Sequence, residues 1–407
     1  MQIENFNQEA LLKELSSCFD GQELEKLAFA SKFISRKSSR LTGLSFLMMN
    51  VFDIADCSDG RERSLDDSCD WLAEHFDISI TKQSLHERYN TYAVSFMRSC
   101  FLKVLQIVND SVVDRSMSLP FSKIQITDAT SFKIGDHLST FYKGWQGQES
   151  MIKMHLNYNF INGAIEDIFL TDGISNDNNY KLGSQEEIVS KALYMRDLGY
   201  FDLRQFKKLD QAGAYFLSRA KTGCSYYKKN ELGQFQKIDI MDYLPALGKA
   251  KSLDQIYVGC KKDKLAIRLI LQAVPEQVAQ QRLGKLKIYA SKQPDKKISQ
   301  HRKAMCYFNV FITNVAEEML PTDMGRMLYT IRWQIELLFK IGKSIFKIDK
   351  VKNINIFRFE CYIYSKLIAM ILTLHIQNKL GQFLWEQEEF ELSPIKAARL
   401  VKKNGMD

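Results

Sequence analysis

Proline is scarce in this chain, with 6 in 407 residues and none before Pro120, and glycine numbers only 20. That excludes a proline- or glycine-rich disordered chain. With 45% hydrophobic and 26% charged residues the composition is that of an ordinary globular protein, long enough for two or three domains. The eight cysteines contain no C-x-x-C pair. Their scatter suggests neither a zinc cluster nor a disulfide framework, and it fits a reducing cytoplasm. Met1-Gln2-Ile3-Glu4-Asn5 lacks a basic segment leading into an apolar run, so no signal peptide is expected. The most apolar late stretch, Tyr362 to Ile376, is interrupted by Lys366 and is short for a bilayer, so it reads as a buried helix and no membrane partner is expected. Internal repeats and low-complexity tracts are missing too. The net charge of +8, from 56 basic and 48 acidic residues, is compatible with a nucleic-acid partner without proving one.

What is present begins with helical periodicity from Glu9 to about Val113. Ser64-Leu65-Asp66-Asp67 has the form of a capping box, and Thr81 opens a second helix with the apolar stripe Leu85, Tyr89, Tyr92, Phe96. The pair has the outline of a helix-turn-helix, with Lys82, Gln83, His86 and Arg88 as candidate DNA contacts; a plain helical pair gives the same pattern. After Pro120 the period changes. Ile124 and Ile126 predict a half-buried strand ending in Thr127-Asp128-Ala129-Thr130. Met151 to Tyr158 and Ala164 to Thr171 predict a hairpin around Asn162-Gly163. Glu186 to Leu193 reads as helix, then come Asp197-Leu198-Gly199-Tyr200, a helix from about Asp202, and a strand ending in Arg219-Ala220-Lys221. Both periods weaken between Lys221 and Ala304, where Arg282 to Lys303 carries eight basic residues and one acid; it reads as a solvated loop or a phosphate-attracting one. Phe308 to Asn314 returns as a strand, and helix is expected onward through Lys347, Lys350, Lys352 and Arg358.

The stretch Tyr329 to Lys343 organises the rest. At about 100° per residue, Arg332, Glu336 and Lys343 fall within about 60° of Tyr329 on one side, and Lys340 about 20° away on the other. Ile331, Ile335, Leu338 and Ile345 take the opposite face. One carboxylate thus shares a stripe with groups suited to phosphate; a solvated charged face is the plain alternative.

The order Y-(2)-R-(3)-E-(6)-K, with Trp333-Gln334-Ile335-Glu336 inside it, resembles the signature of the DDE transposases of the bacterial "insertion sequence four" group. Asp128-Ala129-Thr130 matches that group's first aspartate run, Asp197-Leu198-Gly199-Tyr200 its second, and Arg219-Ala220-Lys221 the following R-x-K. The resemblance covers about Ile124 to Lys352. It implies an α/β protein: an RNase H-like core (118–221 and 304–350) with a β-rich insertion (222–303), an all-helical N-terminal domain (1–117) that binds DNA ends, and C-terminal helices (351–407). It implies Asp128, Asp197 and Glu336 as catalytic metal ligands for two Mg²⁺ (or Mn²⁺), with Asp172 and Asp177 as less favoured second ligands. Tyr329, Arg332, Lys343 and Lys340 would hold DNA. The implied activity is cut-and-paste transposition on terminal inverted repeats and target DNA, by a homodimer at the nucleoid. The alternatives are a nuclease of the same fold, or a silent DNA-binding descendant. The insertion lacks tryptophan, but Tyr226, Tyr227, Tyr243, Tyr257 and Tyr289 are available where some relatives hold a flipped base.

Overall fold

The computed structural model describes residues 20–36, 39–54, 64–111, 119–177, 188–221, 223–246, 248–259, 264–292, 298–350, 354–388, 393 and 395–399. The helical start at Glu9 and the beginning of the helix expected from Glu186 lie outside these residues. Five helices come first: α1 (Gly21–Ala30), α2 (Gly43–Met48, continued by a π turn to Ile54), α3 (Leu65–Phe76), α4 (Lys82–Arg88) and α5 (Thr91–Ser111). The expected capping box starts α3, where the Ser64 hydroxyl accepts from Asp67 N–H and the Asp67 carboxylate from Ser64 N–H. The stripe from Leu85 to Phe96 does not belong to one helix. Asn90 Oδ1 accepts from the N–H groups of Tyr92 and Ala93 and restarts the chain as α5. In the short α4, Lys82 pairs with Asp66 at 2.6 Å, while Arg88 turns back onto Ser39 and the Phe33 ring.

The strands follow as β1 (Ile124–Lys133), β2 (Met151–Asn159), β3 (Ala164–Asp172), β4 (Leu193–Arg196) and, after α6 (Leu203–Gln211), β5 (Tyr215–Arg219). Gly163 closes the β2–β3 turn at φ +75°, a backbone conformation glycine adopts without strain. Two expectations fail for one reason. β1 is buried on both faces from Ile124 to Thr127, not half-buried, and 188–192 are irregular, leading into a strand instead of completing a helix. Leu193 and Met195 enter one core while Ala192 and Tyr194 enter another on the opposite face. A short run buried on both sides has no alternation to reveal it.

The insertion holds β6 (Tyr226–Lys229), β7 (Phe235–Ile238), β8 (Ala250–Gly259) and β9 (Lys264–Ala273), then α7 (Glu276–Ser291) and α8 (Gln300–Ala304), before β10 (Phe308–Thr313). The described part of the basic stretch is therefore largely helix and not loop, as its Gln, Leu, Lys and Ala content favours. Arg282 donates to Asn309 Oδ1 at 2.7 Å, tying α7 to β10. All ten strands join one sheet in the order β3-β2-β1-β4-β5-β10-β9-β8-β6-β7. β1, β4 and β5 run parallel, and every other pairing is antiparallel.

Last come α9 (Met324–Thr330), α10 (Trp333–Ser344) and α11 (Ile356–Glu388). The helix expected beyond Lys343 stops at Ser344, and Lys347 takes a left-handed φ of 51° before Asn355 caps α11. α11 has 33 residues, more than the apolar run suggested. Its Ile356–Gly381 part is long and apolar enough to cross a membrane, but the most apolar window is 89% buried inside the protein. One core joins α1 to α5, a face of the sheet, α10 and α11, with Tyr89 against Tyr362 and Phe101 against Tyr364.

Candidate active site

The strand register brings the two aspartates together. Thr127 lies opposite Arg196 on the parallel strands β1 and β4, so Asp128 and Asp197 occupy the next positions, side by side where β4 ends. Asp128 Oδ1 accepts the Ala129 N–H at 2.8 Å. Asp197 caps the 3₁₀ turn Leu198–Tyr200 and accepts from Gly199 N–H at 3.5 Å. A Cβ on Gly199 would come within 2.6 Å of Asp177 Oδ2, so a larger residue here would have to displace that carboxylate. Asp177 itself pairs with Lys153 at 3.0 Å and Asp172 accepts the Ser175 hydroxyl, so both weaker candidates already have partners at the end of β3.

The third carboxylate arrives on α10, but the signature is not one helix. The chain tightens at Ile331 and Arg332, where Arg332, Gln334 and Ile335 each donate to the carbonyl three residues back. This tightening turns Arg332 inward. Its guanidinium donates through Nη1 to Asp128 Oδ2 and through Nη2 to Glu336 Oε1, the latter at 3.0 Å. Arg332 is only 8% exposed and Tyr329 is buried with it, while Glu336 and Lys340 are exposed, so the stripe is solvated only in its later part. Ile335 and Ile345 are buried as expected, Ile331 and Leu338 only partly.

Electrostatics follow from this arrangement. Burial pushes the Asp128 carboxyl up to about 6; Arg332 and the Ala129 N–H pull it down, and Asp197 and Glu336 push it further up. Burial works against the charge on Arg332, yet Asp128, Tyr329, Asp197 and Glu336 together hold its pKa above the ordinary value. Burial also raises Tyr329 to about 12. That phenol stays neutral and donates to the Arg196 carbonyl at 3.3 Å. Lys343 donates to Thr130 Oγ1 at 2.6 Å and to the Ser131 carbonyl, and burial lowers its pKa. Lys340 is exposed. A cleft of about 560 Å³ opens here, lined by Asp128, Thr130, Glu336, Phe339, Lys340 and Lys343.

The donors are carboxylate oxygens alone, the set that suits a hard divalent ion. Asp128 and Glu336 already share one cation, the Arg332 guanidinium. Among the described residues no three acidic, histidine or cysteine side chains close around a single point. The fit is therefore in donor type and in the attraction of a cation, and the carboxylates are spaced about arginine. Sequence reasoning missed the clamp on Asp128 and the Thr130 anchor of Lys343, since both join residues more than two hundred positions apart.

Residues 119–372 match the family described as "Transposase DDE domain". The chain is 33% identical over 405 residues to the transposase for insertion sequence element IS1151 of Clostridium perfringens, covering 95% of this chain and 84% of that one. It is 29% identical over 401 residues to the transposase for element IS231E of Bacillus thuringiensis subsp. finitimus, covering 93% and 82%. Among solved structures, the piggyBac transposase in a synaptic complex with hairpin DNA is similar with a TM-score of 0.49 and 8% identity, over 98% of this chain and 79% of that one. Matched by the family over well more than half its length and by a transposase at 33% identity over most of both chains, this chain belongs to the DDE transposases of the "insertion sequence four" group.

Proposed function

We propose that this transposase works by cut and paste. It binds the terminal inverted repeats of its element, cleaves to free a 3′-OH, and joins that end to target DNA, acting as a homodimer on nucleoid DNA. The observation that carries the reading is that Asp128 and Glu336 share the Arg332 guanidinium, while Asp197 stands next to Asp128 at the neighbouring strand end. Asp128, Asp197 and Glu336 would hold two Mg²⁺ (or Mn²⁺). When bound, these ions activate the attacking oxygen and stabilise the leaving one. The protein's part is orientation. Backbone N–H groups of Ala129 and Gly199 fix the two aspartates, and Lys343, anchored on Thr130, and exposed Lys340 give the cleft wall a positive charge for the flanking phosphates. Arg332 holds its two carboxylates with two of its five N–H donors, whereas Tyr329 reaches phosphate only by leaving the Arg196 carbonyl.

The test is a supercoiled donor plasmid carrying the element ends, incubated with Mg²⁺. Excision with insertion is expected, and cutting without joining would point to a nuclease. Asp128→Ala, Asp197→Ala and Glu336→Ala should each abolish cleavage and leave DNA binding nearly intact. A normal cleavage rate in any one of them removes that residue from the site.

A further inference from the structure

The two aspartates stand on unequal supports. Asp128 is fixed by the Ala129 N–H at 2.8 Å and by Arg332. Asp197 has, among the described residues, one side-chain hydrogen bond, the long 3.5 Å contact with Gly199 N–H. Its carboxylate is therefore aimed by its backbone, which runs into a 3₁₀ turn where Tyr200 N–H donates to the Asp197 carbonyl at 3.0 Å. What holds that turn lies behind the sheet. Asp128 pairs with Leu156, which enters the core that holds α10; Ala129, and His155 opposite it, face the other way. Arg196 is on this rear face too, because Met195 before it enters the α10 core.

The rear face carries a hydrogen-bonded chain. Tyr200, 1% exposed, has its hydroxyl 2.8 Å from Nδ1 of His155 on β2, and Nε2 of the same ring lies 3.1 Å from the Thr171 hydroxyl on β3. A neutral imidazole has one donor and one acceptor, and a hydroxyl can play either part, so both tautomers satisfy the chain. The rings are packed as well. His155 stacks on Phe169 at 5.0 Å and meets Tyr200 edge-on, and the Arg196 guanidinium lies 4.8 Å from the Tyr200 centroid. A second brace reaches the same turn. Lys153, two residues from His155, pairs with Asp177 at 3.0 Å and donates to the Ser175 carbonyl at 2.6 Å, which sets the Asp177 carboxylate against Gly199. A buried tyrosine hydroxyl is costly unless it is bonded, so its bond to His155 fixes the depth and direction in which the turn docks.

We propose that Tyr200 and His155 are positioning residues for cleavage: the bond between them carries the rigidity of β2 and β3 to the turn that aims the Asp197 carboxylate. This rests on the reading of Asp197 as a metal ligand. The test uses full-length Y200F, H155N, H155Q and D197A. Asn sets its amide where Nδ1 stands and keeps a partner for Tyr200, whereas Gln sets it where Nε2 stands and keeps only Thr171. The readouts are the Mn²⁺ affinity of the protein on an element-end duplex, from the EPR signal of free Mn²⁺ corrected for the duplex alone, the Mg²⁺ concentration for half-maximal single-turnover cleavage, and the urea midpoint. Y200F and H155Q should weaken Mn²⁺ binding and raise the Mg²⁺ requirement about tenfold, the lower end of what losing the support of a metal ligand costs. Y200F/H155Q should do no worse than either single variant. H155N should stay close to wild type in both metal readouts, although its urea midpoint falls with that of H155Q, since each gives up one hydrogen bond. Wild-type Mn²⁺ affinity and Mg²⁺ requirement in Y200F would overturn the inference. Equal losses in H155N and H155Q would overturn it too, and leave His155 a packing residue alone. A D197A protein that binds Mn²⁺ and cleaves as wild type does would overturn the metal-ligand reading itself, whereas a crippled D197A beside a normal Y200F overturns only the positioning role.

Discussion

Arg332 is where expectation and structure part most clearly. Its identity and offset from Glu336 were legible in the signature, and they suggested a fork for phosphate. Its partner was not legible, because Asp128 lies 204 positions away and only the folded sheet brings it near. The clamp changes what its variants should do. A lysine carries its donors on one nitrogen and lacks the planar fork whose separate Nη1 and Nη2 reach the two carboxylates. Arg332→Ala and Arg332→Lys should therefore both lower single-turnover cleavage by roughly 10- to 150-fold, the equivalent of about 1.5–3 kcal/mol, even at saturating DNA. A rate restored by excess DNA would return Arg332 to phosphate binding. His155 gives a second prediction at this scale. It is buried, bonded to the Tyr200 hydroxyl at 2.8 Å and to Thr171, and burial lowers its pKa to about 4. The unfolded chain, with His near 6.5, binds this proton more readily, so stability is fully present above about pH 6.5 and is lost as pH falls toward 4. The loss from this group is on the order of 3 kcal/mol. Urea unfolding at pH 7 and pH 4.5 should show it, and His155→Gln should shrink the difference.

Among elements, those with strong periodicity or clear end signals were read well: α3 from its capping box, the β2–β3 hairpin from Asn162-Gly163, β10 from its apolar run. β1 was read as a strand but not as one buried on both faces, β4 was missed for the same lack of alternation, and the break between α9 and α10 was not seen. An apolar stripe continues smoothly across a 3₁₀ turn, so nothing in the pattern marks it. The end of α10 is held from an unexpected quarter. Lys366, buried on α11, donates to the carbonyls of Lys347 and Lys350 at 3.0 and 2.8 Å. Its interruption of an apolar run counted against a membrane span; its place in the fold is as a donor to the turn that follows the signature helix. Lys366→Met keeps the bulk and removes the donor, so it should cost about 1–3 kcal/mol in urea unfolding. Gly342 lies where α10 meets Met370 of α11, and an added Cβ would sit 2.9 Å from Ile348. Gly342→Leu should destabilise by about 1–3 kcal/mol through overpacking, again read by urea unfolding. An unchanged midpoint in either variant would mean the α10–α11 contact is looser than described.

At the scale of the whole molecule, the fold class was legible from strand and helix order together with the signature. The joining of the parts was not. α5 packs along α11, and aromatic pairs from Tyr89 to Tyr362 and Phe101 to Tyr364 place the N-terminal helices in the core that also holds α10. A fragment ending near residue 117 leaves that core open, so it should be poorly soluble, and end recognition is better tested by point variants of α4 in the full chain. Soluble, cooperatively unfolding fragment would show that the helices carry a core of their own. The sheet, too, is continued by its insertion: β10 pairs with β5 across about ninety positions. This pairing sets an order of events during synthesis. Asp128 and Asp197 leave the ribosome early and their strands find each other locally, whereas Glu336 and Arg332 follow only after the four strands of the insertion have been made. Until then the nascent chain holds two like charges with neither their third partner nor their arginine. On the proposed assignment of Glu336, a chain cut short anywhere before α9 lacks its third carboxylate and should not cleave DNA.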